Sequence, residues 1–228
     1  MPATACIFDA YGTLFDVTAA ARRAAEEPGA QALAARWREL ADIWRAKQLQ
    51  YTWLRAITGA HTDFWRVTED SLDWAMEATG LSDAGLRARL LRLYRKLDAY
   101  PETAETLAAL KSAGHPTAIL SNGSADMLAD AVQSAGLEGC FDAVLSVDAV
   151  GVFKPARVVY DMVGARFGCA PAEALFVSSN GWDAGAATGY GFTTVWVNRA
   201  DDPVDRLPWT PHHMVDDLRA IPDLARTL

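Results

Sequence analysis

The sequence predicts an α/β protein, a doubly wound parallel sheet with an all-helical unit inserted after its first strand. Three observations carry this. Short apolar, partly β-branched runs alternate with helical periodicity from about residue 99 onward. One more such run, Thr4 to Phe8, stands alone near the start. Between them, from about Val17 to Leu97, lies a stretch rich in Ala, Arg, Leu, Glu and Trp and almost free of Val and Ile.

The elements follow in chain order. Thr4 to Phe8 runs straight into Asp9, which reads as a buried strand with a carboxylate at its C-terminal end. The inserted stretch reads as about four amphipathic helices. Trp37, Leu40, Ala41 and Trp44 repeat at helical spacing, as do Leu86, Leu90, Leu93 and Leu97, with Asp63 and Ser82 as N-caps. After Pro101, Thr103 to Ala113 is a helix closed by Gly114, and Thr117 to Leu120 is a strand. Ser124 to Ala135 is a helix ended by Gly136, Ala143 to Val147 a strand, and Val158 to Phe167 a helix ended by Gly168. Ala174 to Val177 is a strand, Asp183 to Thr188 a short helix and Thr193 to Val197 a strand, and a last helix begins near Asp217. Strands that are apolar throughout need helices on both faces of the sheet. The core is therefore expected over 1–16 and 99–228, and the helical unit over 17–98. There are no internal repeats.

The chain has 228 residues, 21 basic and 29 acidic, for a formal charge of −8, with 51% apolar and 22% charged residues. That composition belongs to a folded chain rather than a disordered one. The acidic balance argues against a nucleic-acid partner, which would call for a basic face. It leaves room for a small anionic substrate in a local pocket. Cys6, Cys140 and Cys169 have neither metal-ligand spacing nor a disulfide pattern, which fits a reducing compartment. Met1 to Phe15 lacks a cationic n-region, and no stretch approaches a transmembrane length, so no membrane partner and a cytoplasmic location are expected.

In an open parallel sheet, ligands bind beyond the carboxyl ends of the strands. Asp9-Ala10-Tyr11-Gly12-Thr13 follows the first strand, and Ser121-Asn122-Gly123-Ser124 the second. Lys154-Pro155 comes shortly after the third, and Ser178-Ser179-Asn180-Gly181-Trp182-Asp183 after the fourth. Singly, each reads as turn or capping chemistry. Together, four polar groups at four strand ends of one sheet, with a lysine meeting carboxylates, mark a site for anionic chemistry.

These residues resemble the haloacid dehalogenase superfamily, and more narrowly its L-2-haloacid dehalogenases. The resemblance spans the whole chain. The strand-one and Lys154-Pro155 elements mark only the superfamily. Narrower marks are Trp44-Arg45-Ala46-Lys47-Gln48-Leu49-Gln50-Tyr51-Thr52-Trp53-Leu54 and Ser178-Ser179-Asn180-Gly181-Trp182-Asp183. The resemblance implies a Rossmann-like core under a helical cap, hydrolysis of L-2-haloacids with inversion, and a homodimer. It also implies the roles of individual residues. Asp9 is the nucleophile, positioned by Thr13, and Lys154 pairs with it, held by Tyr160. Asp183 orients the hydrolytic water within a network that includes Ser178 and Asn180. Ser121 binds the substrate carboxylate. Arg45, helped by Asn122, draws out the halide. Ala10, Tyr11, Leu49, Phe64 and Trp182 wall the pocket. None of His61, His115, His212 and His213 falls at a matching position, and all four are expected at the surface. Ala10 and Gly181 depart from the bulkier residues common there, which points to a wider or looser site.

The main rival is a Mg²⁺-dependent phosphatase of the same superfamily, and a non-catalytic binding module is a third reading. A phosphatase of this type carries a second acid two residues after the nucleophile, to protonate the leaving oxygen. Tyr11 stands there, and Ser178-Ser179-Asn180 stands where a metal-binding acid belongs. A halide leaves as a stable anion and needs no proton. No metal and no cofactor are therefore expected.

Overall fold

The structure, a computed structural model, describes residues 5–227. In chain order these form β1 (Ala5–Phe8), α1 (Ala19–Ala25), α2 (Gln31–Ala34), α3 (Trp37–Thr58), α4 (Phe64–Thr79), α5 (Ala84–Tyr94) and α6 (Thr103–Ser112). Then come β2 (Thr117–Ser121), α7 (Ala125–Ser134), β3 (Ala143–Ser146), α8 (Arg157–Phe167), β4 (Ala174–Ser178), α9 (Gly181–Tyr190), β5 (Thr193–Val197), β6 (His213–Val215) and α10 (Ile221–Thr227). The predicted strand start at Thr4 lies outside the described residues.

The six strands form one sheet in the order β3-β2-β1-β4-β5-β6. Every pairing is parallel. β1, β2 and β4 are buried at every position, as strands covered on both faces must be. Phe8, Ile119 and Phe176 are fully buried in this core, and burying each contributes about 1.5–3 kcal/mol. β1 lies between β2 and β4, so the chain leaves it toward one side of the sheet and later returns on the other. Ligand crevices in open α/β sheets form at this reversal, and Asp9 follows β1 directly.

Between β1 and α6 lie five helices rather than about four, because the single turn α2 is an element of its own. α3 packs along α4, and α1 packs against α5. Asp63 caps α4 as predicted, its carboxylate accepting from Arg66 N at 2.8 Å. At α5 the cap is Asp83, not Ser82. Asp83 has the extended backbone of an N-cap, and its side chain accepts from Leu86 N at 2.6 Å. The two segments joining this unit to the sheet run side by side, with Asp16 N donating to Asp98 O and Tyr100 N to Leu14 O, each at 2.9 Å.

Most elements start and end within a residue of the sequence reading, and the larger differences lie toward the C-terminus. α9 starts at Gly181, two residues before Asp183, because the Asn180 carbonyl already accepts from the Asp183 and Ala184 amides at 3.0 Å. β6 was not predicted. Asp217 caps a short 3₁₀ turn, and α10 follows from Ile221.

Candidate active site

The loop after β1 is closed by its own backbone. The Ala10 carbonyl accepts from the amides of Thr13, Leu14 and Phe15 at 3.2, 2.9 and 3.1 Å, and Gly12 N donates to Phe15 O at 2.8 Å. So tight a reversal places residue 12 at φ +91°, where glycine is at ease. The loop folds Thr13 back onto Asp9, with Oγ1 donating to Asp9 Oδ2 at 3.1 Å. Thr13 Oγ1 also accepts from Ser179 N at 2.8 Å, which ties the loop after β1 to the loop after β4.

Lys154 bridges two carboxylates. Its Nζ lies 3.1 Å from Asp9 Oδ1 and 2.8 Å from Asp183 Oδ2, and the side chain is 1% exposed. The Asn122 side-chain oxygen accepts from Lys154 N at 2.8 Å, fixing the lysine from the end of β2. Tyr160 on α8 donates to Asp183 Oδ1 at 2.8 Å, and Ser178 Oγ to Oδ2 at 3.2 Å. Asn180 Nδ2 donates to Asp9 Oδ2 at 2.9 Å, and Asn180 Oδ1 accepts from Arg45 Nη2 at 3.1 Å. Arg45 comes from α3 and also donates to Tyr11 O at 3.1 Å. Asp9, Thr13, Arg45, Lys154, Tyr160, Ser178, Asn180 and Asp183 thus form one hydrogen-bonded network. Asp9 receives donors only, which is what an ionised carboxylate accepts.

Burial works against the Lys154 ammonium, but Asp183 and Asp9 outweigh it and hold the group above the usual lysine range. Burial pushes the Asp183 carboxyl above its usual range, against the opposing pull of Lys154. Burial, with Asp183 beside it, pushes the Tyr160 phenol well up, so Tyr160 acts as a neutral donor.

Ser121 stands at the end of β2, buried, with its Oγ accepting from Gly123 N at 3.1 Å. A Cβ at Gly123 would lie 2.6 Å from the Tyr11 ring, so glycine there lets the Tyr11 phenol sit against this turn. Tyr11 packs on Phe64 with ring centroids 5.7 Å apart, and stacks on Tyr94 at 5.8 Å. Ala10 is buried and acts through its carbonyl. Leu49 lies half-buried on α3, one turn beyond Arg45.

Trp182 sits apart from the polar network. Its ring meets Trp53 edge-on at 5.3 Å in an apolar groove of about 410 Å³, whose walls include Ile57, Pro155 and Trp209. Gly181 does not widen the site. A side chain there would meet Asp205 at 2.7 Å and Trp196 at 3.4 Å, so this glycine admits the loop that follows β5. His115 is buried rather than at the surface, because it lies where the chain turns in from α6 to β2.

Three contributors went unread in the sequence. Ser179 donates its amide to Thr13. Gln48 accepts from Arg45 Nη1 at 3.0 Å and from the Tyr94 hydroxyl at 3.2 Å. Tyr94 follows 46 residues after Gln48 and has no local signal. For Gln48 the signal was its spacing, three residues after Arg45 on one helix face.

A Mg²⁺ of the phosphatase kind does not fit this donor set. Both carboxylates are already engaged by Lys154. Burial, with Tyr94 and Asp126 nearby, pushes the Tyr11 phenol well up, which makes it a poor proton donor. Among the described residues, no group of three or more His, Cys, Asp or Glu side chains could hold a metal ion, and no helix is long and apolar enough to cross a membrane.

The chain is similar to known proteins over nearly its full length. The family profile of the haloacid dehalogenase-like hydrolases matches residues 3–191. (S)-2-haloacid dehalogenase 1 of Pseudomonas sp. (strain CBS-3) is 42% identical, over 98% of this chain and 96% of the relative. A crystal structure of an L-2-haloacid dehalogenase superposes with a TM-score of 0.92 at 41% identity, covering 99% of this chain and all of the other, that is 100%. The L-2-haloacid dehalogenase from Xanthobacter autotrophicus with chloropropionic acid covalently bound gives a TM-score of 0.85 at 38% identity, covering 99% of each chain. With an aspartate after β1, a lysine between two carboxylates and an arginine from the inserted helices all in place, the chain belongs to the haloacid dehalogenase-like hydrolases and, within them, to the (S)-2-haloacid dehalogenases.

Proposed function

We propose that the protein hydrolyses L-2-haloacids to D-2-hydroxy acids through an ester on Asp9, without a metal. The observation that carries this is the Asp9 carboxylate. It is held by Lys154, Thr13 and Asn180, it is covered by an arginine from α3, and no second acid stands two residues on. That arrangement suits displacement of a group that leaves as an anion, and it does not suit protonation of a phosphate ester.

In the first step an Asp9 oxygen attacks C2 of the substrate from the side opposite the halogen. The C–O bond forms as the carbon–halogen bond breaks, and the halide departs with the bonding pair. Arg45, with Asn122 nearby, receives the halide. Ser121 and the backbone amides of its turn bind the substrate carboxylate. Tyr11, Leu49 and Phe64 wall the pocket. In the second step a water oriented by Asp183, Ser178 and Asn180 attacks the Asp9 carbonyl carbon. Its proton passes toward Asp183, whose raised proton affinity suits a base. The hydroxy acid leaves with the original Asp9 oxygen, and C2 has inverted once. The relative with chloropropionic acid covalently bound supports a two-step course.

Residues 17–98 act as a cap on the 1–16 and 99–228 core, because Arg45 reaches from one to the other. The same reading carries a cytoplasmic homodimer. Leu54 and Trp74 are about half exposed on α3 and α4, and Ile57 is 83% exposed, an apolar face suited to a second copy. Sedimentation of a monomer would refute the dimer.

One turnover in oxygen-18 water tests the function. The Asp9 peptide gains the heavy isotope, halide release from L-2-chloropropionate persists in EDTA, and Asp9→Asn abolishes it. Label found only in the product, or Mg²⁺-dependent phosphate release without halide release, would overturn the proposal.

A further inference from the structure

Gln48 is a carboxamide buried to 1% exposure inside the helical unit, beneath the hydroxyl of Tyr94. Filling that space would take only an apolar side chain. Instead both ends of the amide are used. Oε1 accepts from Arg45 Nη1 at 3.0 Å and from the Tyr94 hydroxyl at 3.2 Å. Nε2 donates to Thr68 Oγ1 at 2.8 Å, and Thr68 in turn donates to Phe64 O at 2.8 Å. The Trp44 indole donates to Thr68 O at 3.0 Å. Three helices, α3, α4 and α5, therefore converge on one side chain.

Arg45 is the partner of Gln48 that carries hydrogen bonds into the core. Its Nη2 meets Tyr11 O and Asn180 Oδ1, both in loops that follow strands. Its Nη1 donates to Gln48. A guanidinium is a planar fork, so fixing one nitrogen from the cap and the other from the core fixes its plane. An arginine held by one nitrogen alone keeps most of its rotamer freedom.

We propose that Gln48, backed by Tyr94 and Thr68, is a positioning residue that fixes the Arg45 guanidinium beside the departing halide and thereby sets the leaving-group preference. This rests on the assignment of Arg45 to the halide made above. As the carbon–halogen bond breaks, negative charge grows on the halogen, and a fixed cation there lowers the barrier only if it needs no reorganisation. Chloride is a poorer leaving group than bromide and draws more on that help.

The test compares L-2-chloropropionate with L-2-bromopropionate. Gln48→Met keeps the volume and removes the acceptor. It is expected to lower kcat/KM for the chloro acid by about 10- to 100-fold, the factor equivalent to one hydrogen bond to a charged group. The loss on the bromo acid is smaller, so the bromide-to-chloride ratio rises. Inhibition by added bromide weakens in parallel. Gln48→Glu keeps the acceptor and restores the wild-type ratio. Tyr94→Phe leaves the Gln48–Arg45 bond without its backing and moves the ratio the same way by less. Equal losses on both substrates, with no restoration by Gln48→Glu, would reduce Gln48 to a structural residue and overturn the role. Should Gln48→Met fail to fold, an unchanged ratio in Tyr94→Phe overturns it instead. A wild-type chain that releases neither halide overturns the proposed function itself, and this role with it.

Discussion

Replacing Lys154 with methionine removes the one cation set between two carboxylates and leaves its carbon chain in place. The Lys154 side chain is 1% exposed and its Nζ lies 2.8 Å from Asp183 and 3.1 Å from Asp9, so little solvent screening softens the loss. Removing one partner of a buried pair costs about 3–5 kcal/mol, which in a chain of this size is a fall in Tm of about 6–20 °C. The pH dependence separates this cause from a packing defect. In the wild type the lysine is held above its usual range. Its contribution is therefore complete below the usual lysine pKa and is lost as pH rises through the raised value. In Lys154→Met the two carboxylates face each other without a cation, so the native state binds a proton more readily than the unfolded chain does. Stability of the variant then improves relative to wild type as pH falls. Thermal unfolding followed by circular dichroism at about pH 8 and about pH 5 should show a large deficit at the first and a smaller one at the second. Adding Asp183→Asn removes one of the stranded charges and should return about 0.5–3 kcal/mol. An equal deficit at both pH values, or a double variant no more stable than the single one, would refute the electrostatic reasoning.

Tyr160→Phe removes the 2.8 Å bond to Asp183, a bond that lowers the proton affinity of that carboxyl. Activity should fall about 10- to 100-fold, and the acid limb of kcat/KM should move to higher pH. A fall in rate with no movement of the limb would contradict the assigned contact. In the wild type, the burial that raises Asp183 should set that acid limb above the usual carboxylate range, and the raised Lys154 should set the alkaline limb above the usual lysine range. A pH-stat record of halide release with its acid limb at an ordinary carboxylate pKa would argue against Asp183 as the base. Gly189→Ala places a methyl group 2.4–2.6 Å from the Trp209 ring. Against the helix-propensity gain of alanine, the net cost should be about 1–2 kcal/mol, read as a lower Tm with halide release unchanged. An unchanged Tm would mean that the loop carrying Trp209 adds nothing to stability.

The parts of this molecule legible in sequence are those written in contiguous residues. β1, β2, β4 and β5 are apolar runs buried almost throughout, and the site loops after β1, β2 and β4 follow their strands directly. β6 escaped notice because His213, Met214 and Val215 make no apolar run, and β5 rather than periodicity organises them. Ser82 and Asp83 are both capping residues, and only the backbone decides between them. The site was legible where a motif carried it, and less so where helix geometry intervened. Trp182 and Asp183 are neighbours in sequence but diverge by about 100° around α9. With Asp183 turned in toward Lys154, Trp182 meets Trp53 instead. Gln48 and Tyr94 stand on different helices, and their meeting over Arg45 is a fact of packing alone.

The charges of the site are arranged to move. Asp9, Asp183, Lys154 and Arg45 sum to zero when all are ionised, so the buried cluster has no net charge before substrate enters. On the proposed mechanism, ester formation makes Asp9 neutral and places the lost charge on a halide beside Arg45. Negative charge thus passes from the Lys154 side of the cluster to the Arg45 side within one step. Two fixed cations meet the two ends of that displacement, and neither has to move. Lys154 is then left with Asp183 as its sole carboxylate partner. The Asp9 charge that raised the proton affinity of Asp183 is gone at the moment Asp183 must orient water. The base is therefore more fully ionised for the second step than for the first, by a mechanism that needs only the 2.8 and 3.1 Å contacts of one lysine.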